Sequence, residues 1–83
     1  MTHELKTYPE YYNAAFSGIK TFEVRKNDRN YQVGDTLILK EWDDMKEEYT
    51  GAKLKVEVTY ILSEPQYVAE GYVILAINYR EMC

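Results

Sequence analysis

Cysteine is nearly missing from this chain: Cys83 stands alone, at the last of 83 positions. With no second thiol there is no internal disulfide, and stability has to come from packing. Histidine is as scarce, represented by His3 only. One His and one Cys at opposite ends fall short of the four nitrogen or sulfur ligands of a structural zinc site, so neither metal nor cofactor is expected. His3 reads instead as a hydrogen-bonded residue of a first strand. No run approaches the roughly 18 to 20 apolar residues of a membrane helix, and "MTHELKTYPE" lacks the apolar core of a signal peptide. The expectation is a soluble, cytoplasmic protein with no membrane partner. Two prolines and four glycines form no linker, and nothing repeats. At this length a core buries only roughly 60 to 65% of the unfolded surface and cannot be divided, so residues 1–83 are expected to form one domain. Also missing are a GxxxxGK[ST] phosphate loop, a GxGxxG turn, and a His beside a Ser or Cys nucleophile.

What is present is a globular composition, 46% apolar and 29% charged, with a net charge of −4. That sign argues against tight, sequence-blind binding to phosphate backbones, which depends on clustered cations displacing counterions. The charge is unevenly spread. Lys20, Arg25, Lys26 and Arg29 stand against Glu23 and Asp28, a local +2 that leaves −6 for the rest. Such asymmetry permits an anion-binding face on a protein that repels polyanions elsewhere.

"HELK" reads as a short strand. "TYPEYYNAAFSG" has the marks of a helix: Thr7 as N-cap with Glu10 three residues on, Pro9 in the first turn, Gly18 as terminator, and Tyr12, Ala15 and Phe16 on one face. From Thr21 the period becomes two, with Phe22 and Val24 taken as the inward side and Thr21, Glu23 and Arg25 as the other. "RKNDRN" turns the chain, and Gly34-Asp35 makes a tight turn before a strand towards Trp42. "DDMKEEYTG" is a hairpin loop. In "AKLKVEVTYIL" Ala52, Leu54, Val56, Val58, Tyr60 and Leu62 alternate with a mostly polar set. "YVILAINY" is apolar on both faces, as in a strand covered on both sides. One helix with four or five strands, mostly paired in sequence order, predicts a mainly β fold: a small barrel with its helix plugging one end and a concave mouth.

Glu23 and Arg25 are two apart on a strand, with Cα atoms roughly 6.5 to 7 Å apart on one face. Lys20 leaves Gly18 at the rim, where its stem can lie on apolar neighbours with the ammonium at the opening. These three, with Lys26 and Arg29 beside them, are the candidate ligand contacts. The plainer reading is a surface ion pair contributing about 0 to 1 kcal/mol, with Lys20 merely snorkelling. Among nine tyrosines, Tyr60 and Tyr72 read as core strand residues, whereas Tyr31, Tyr49 and Tyr67, with Trp42, are the stacking candidates. Thr21 beside Lys20 is a weak candidate nucleophile, because adjacent strand residues face opposite sides.

Gly18, Lys20, Glu23 and Arg25 reproduce the G-x-K-x-x-E-x-R motif of ASCH domains within the PUA-like barrels, and "VGD" at Val33 to Asp35 resembles the next block of that family. "HELK", "TFEVRKNDR", "QVGD", "YTG" and "EGYVILAI" resemble, in order and over essentially the whole chain, a small bacterial and phage-associated ASCH-like family of unknown function. The resemblance implies a PUA-like barrel whose cleft, between motif and helix, binds RNA or a nucleotide-like ligand. Lys20 and Arg25 would contact phosphate or base carbonyls, Glu23 would orient them or accept from a base, and Lys26, Arg29 and Tyr31 would form the rim. Some small ASCH relatives resemble it in another way, as amidohydrolases that deacetylate cytidine with a lysine, a threonine and a glutamate. Here Glu23 occupies the threonine's place. On that alternative Lys20 and Glu23 are the catalytic candidates, Lys20 acting as base on Thr21 or on water, and the role of a downstream carboxylate such as Glu70 stays unassigned. A monomer is expected.

Overall fold

The computed structural model describes residues 1–82, with side chains through Tyr79; Cys83 lies outside the described residues. The strands are β1 (Thr2–Thr7), β2 (Phe22–Lys26), β3 (Thr36–Asp43), β4 (Glu48–Leu62) and β5 (Tyr72–Met82), and α1 (Pro9–Phe16) follows β1. They form one sheet in the order β1-β3-β4-β5-β2, curled into a half-barrel, so the fold is mainly β. β1 runs parallel to β3, and the other neighbours are antiparallel. Only β3-β4 and β4-β5 are neighbours in sequence order, fewer than the spacing predicted. Among the described residues no helix is long and apolar enough to cross a membrane.

The trough of the half-barrel is filled by Leu5 of β1, Leu37 and Leu39 of β3, Leu54, Val56 and Val58 of β4, and Val73, Leu75 and Ile77 of β5. These alternate with outward residues, as a half-covered sheet requires. β5 is therefore fully buried on one face only, with Ile74 and Ala76 half-covered on the other. In β4 the alternation slips. The pairing passes from Val58–Ile77 to Tyr60–Ala76, skipping Thr59. Such a bulge reverses parity. Tyr60, expected inside, is thus 64% exposed, and Ile61 packs on the core instead. Tyr72 is likewise on the outside.

The helix is shorter than the sequence predicted and is capped differently. Thr7 ends β1 rather than capping α1; Tyr8 is the N-cap, with no side-chain hydrogen bond, and Pro9 opens the first turn. Tyr12 and Ala15 enter the core, while Phe16 stays half-exposed. α1 packs on β3.

β1 and β2 are the two edges of the sheet and are not hydrogen-bonded to each other. Side chains close the gap. Arg29 Nη1 donates to the Glu4 carbonyl (2.9 Å), and Arg25 Nη1 to the Lys6 carbonyl (3.0 Å). Those two carbonyls lie two residues apart on β1 and so point to one edge. An uncovered edge leaves a row of unpaired backbone groups, and here two guanidinium groups satisfy part of it.

Candidate functional site

The end of α1 sets the first element of the site. Gly18 has φ +82°, a conformation open to glycine without a side-chain clash. The chain reverses there, and the N–H groups of Ile19 and Lys20 both donate to the Ala14 carbonyl (3.1 and 3.0 Å). Lys20 is thereby delivered to the start of β2, beside the helix.

β2 then presents its faces the opposite way to the sequence reading. Glu23 is 2% exposed, whereas Phe22 and Val24 are 46% and 51% exposed. The reason lies in the pairing. Glu23 is opposite Leu75 and Arg25 opposite Val73, so both share the inner face of β5, and Phe22 and Val24 share the outer face with Ala76 and Ile74. A buried carboxylate demands partners. Glu23 Oε1 accepts from Arg25 Nε (3.1 Å) and Nη2 (2.8 Å), and Oε2 accepts from the Lys20 ammonium. Arg25 Nη2 also donates to the Thr7 hydroxyl (3.1 Å), and the hydroxyl donates on to the Leu5 carbonyl (3.2 Å). The plainer reading of a surface ion pair therefore does not hold: the three side chains form a network around a buried carboxylate.

Above it is a hollow of about 400 Å³ lined by Tyr11, Lys20, Phe22, Glu23 and Val24. The Lys20 ammonium sits 5.2 Å from the Phe22 ring centroid and 5.9 Å from that of Tyr11, within reach of both π faces. Tyr11, Phe22 and Val24 were not among the residues singled out for a ligand. The period-two pattern marked Phe22 and Val24 as sharing a side, but their apolar character pointed that side inward.

The remaining candidates divide. Arg25 is in the network and also lines a second hollow with Lys26, Arg29 and Tyr31. Tyr31 is a correction: expected on the rim as a stacking surface, it belongs to the core cluster and meets His3 edge-on at 4.8 Å. Burial pushes its phenol above the usual tyrosine value, with Arg29 and Arg25 pulling the other way. Thr21 is exposed and lies outside the hollow over Glu23, and its carbonyl accepts from the Ile77 N–H (3.0 Å). Trp42 is half-buried against Tyr49 (4.9 Å, edge-on), with the Lys6 ammonium 4.1 Å from its ring; neither aromatic lines that hollow. Glu70 and Tyr67 are exposed in the β4-β5 loop.

A second buried carboxylate, Asp35, was read only as part of a turn. Its Oδ2 lies 2.8 Å from His3 Nε2 and accepts from the Gln32 N–H (3.0 Å), and Oδ1 accepts from the Met1 amine (3.1 Å). Burial alone would raise this carboxyl, but the His3, Gln32 and amine contacts together hold it below the usual aspartate value. His3 is therefore a hydrogen-bonded strand residue, and Asp35 knits β1 to the turn before β3.

Comparison with known proteins extends over most of the chain. Residues 2–77 match a family described as "Domain of unknown function (DUF3850)". Over 73 residues, 88% of the chain, it is 40% identical to the "Uncharacterized 12.9 kDa protein in GpA 3'region" of Escherichia phage P2. That stretch covers 64% of the phage protein, so the chain spans less than two thirds of its relative's length.

Proposed function

We propose that this chain, which belongs to the family described as Domain of unknown function (DUF3850), is an ASCH/PUA-like module that takes a nucleobase or nucleoside-like group in the hollow over Glu23. The group would be free or part of a single-stranded RNA. The observation carrying this reading is a buried carboxylate, paired with Lys20, in the lining of a hollow that also holds two aromatic residues. A base edge offers N–H donors and carbonyl acceptors, and its face offers a π surface. Glu23 matches the donors. Its two oxygens have about four acceptor positions in all, and three are occupied. Lys20 can match a carbonyl, and Phe22 or Tyr11 can take the ring face, each base stack being worth roughly 1 to 3 kcal/mol. A volume of about 400 Å³ is in the range of small-ligand sites.

The same geometry argues against Arg25 as a phosphate ligand. It makes four donor contacts, to Glu23, Thr7 and the Lys6 carbonyl, out of five N–H groups. The alternative, hydrolysis of an acetylated cytidine with Lys20 as base, gains no support. Among the described residues no Ser, Thr or Cys lines the hollow, and Lys20 is bound to Glu23.

The test is a nuclear magnetic resonance titration with nucleosides and short single-stranded RNAs. Resonances of Tyr11, Lys20 and Phe22 should move, and Phe22→Ala should weaken binding about tenfold, the equivalent of one stacking contact. Unchanged spectra at millimolar nucleoside would overturn the reading. Release of cytidine from acetylcytidine, at near-stoichiometric protein, would replace it with the hydrolytic one.

A further inference from the structure

The second hollow, about 380 Å³, lies along the gap between β1 and β2 and is lined by Arg25, Lys26 and Arg29, with Asp28 the only acidic residue among the described residues that line it. Three cations face one concavity in a chain whose net charge is −4. Two of the three are fixed. Arg25 and Arg29 are anchored by β1 carbonyls, so their positions cost little further ordering when a ligand arrives. Asp28 offsets them weakly. Its side chain is largely exposed and stands 4.0 Å from Arg29 Nε, at the outer limit of an ion pair. Lys26 is exposed and, among the described residues, has neither ion-pair nor hydrogen-bond partner. Tyr31, buried against His3 of β1, also belongs to the lining.

The two hollows adjoin. Val24 borders both, and Glu23 binds Lys20 of the first with one oxygen and Arg25 of the second with the other. We infer that the second hollow is a phosphate subsite, recognising the single phosphate attached to a nucleoside whose base occupies the first. The inference rests on the base-binding reading of the first hollow. Lys26 supplies the one uncommitted ammonium, Arg29 the N–H groups not used on Glu4, and Arg25 the local positive charge. The shared chemistry is one phosphate group, from a free nucleotide or from one link of a single-stranded RNA.

The experiment compares a nucleoside, its 5′-monophosphate, a dinucleoside monophosphate and inorganic phosphate, by calorimetry and by backbone resonances of residues 26–31. A monophosphate should bind about tenfold tighter than its nucleoside, the worth of one charge-assisted contact. That advantage should collapse in Lys26→Ala and return in Lys26→Arg, and should shrink as salt screens the phosphate from the cations. Lys26→Ala removes an exposed, unpartnered side chain, so folding is preserved. Equal affinity for nucleoside and monophosphate in the wild-type protein would overturn the subsite while leaving the base reading intact. If nucleosides do not bind but inorganic phosphate shifts residues 26–31 and Lys26→Ala weakens it, the base reading falls and the phosphate site survives. A preference for the monoester assigns the site to free nucleotides, and equal binding of the dinucleoside assigns it to RNA.

Discussion

Two paired strands, β5 and β2, face the same trough with opposite chemistry. β5 lines it with Val73, Leu75 and Ile77, all buried, and directly across from Leu75 stands the equally buried Glu23. The difference follows from what each strand looks at. β5 looks across the trough at apolar side chains of β1, β3 and β4, so apolar burial stabilises it. β2 is an edge, and what it meets is the bare edge of β1, whose carbonyls need donors. An inner face carrying Arg25 supplies them, and Glu23 compensates the buried charge. A polar inner face at one edge is therefore part of how this sheet closes, and two members of the same network, Lys20 and Glu23, also line the first hollow.

That contrast can be broken in graded steps. Leu75→Ala should cost most, about 3 kcal/mol in urea denaturation, through lost apolar burial and the cavity left behind. Glu23→Ala should cost about 2 kcal/mol, because Lys20 and Arg25 lose their buried acceptor but keep long stems that can turn towards the hollows. A loss as large as that of Leu75→Ala would mean the network is as rigid as the apolar side. A smaller change belongs to the other buried carboxylate. Asp35 is held below its ordinary value, so its contribution is present above the unfolded value of 3.8 and drains away as the pH falls through the lower folded value. Asp35→Asn should therefore lower stability at neutral pH yet flatten its decline below about pH 4, read from urea midpoints across acid pH. The smallest effect is expected for Val24→Ser, within about 0.5 kcal/mol, since Val24 faces outward. Were Val24→Ser to cost more than Glu23→Ala, the orientation of β2 described above would be wrong.

Much of the architecture was legible in the residues. The alternation in Leu54, Val56 and Val58 found the inner face of β4, Pro9 and Gly18 bracketed the helix, and Gly34-Asp35 marked a turn. Periodicity says which residues share a side, however, and not which side is inside. For β2 the apolar pair Phe22 and Val24 drew the inward assignment, and only the partner strand, which places Glu23 opposite Leu75, reverses it. The bulge at Thr59 was hidden for the same kind of reason: a one-residue slip depends on pairing between strands remote in sequence. That Lys20, Glu23 and Arg25 come together was legible because they are close in sequence. The engagement of Arg25 and Arg29 with β1, some twenty residues away, was not readable, nor was the burial of Tyr31, which His3 and the core enclose.

Closure by two arginines instead of a backbone ladder sets the width of the barrel in an unusual way. Hydrogen-bonded strands are locked at about 4.8 Å from one another. Across this gap the spacing follows the reach of a flexible stem, so the curvature of the whole wall is adjustable at one line, and each clasp can let go separately while every strand keeps its partner.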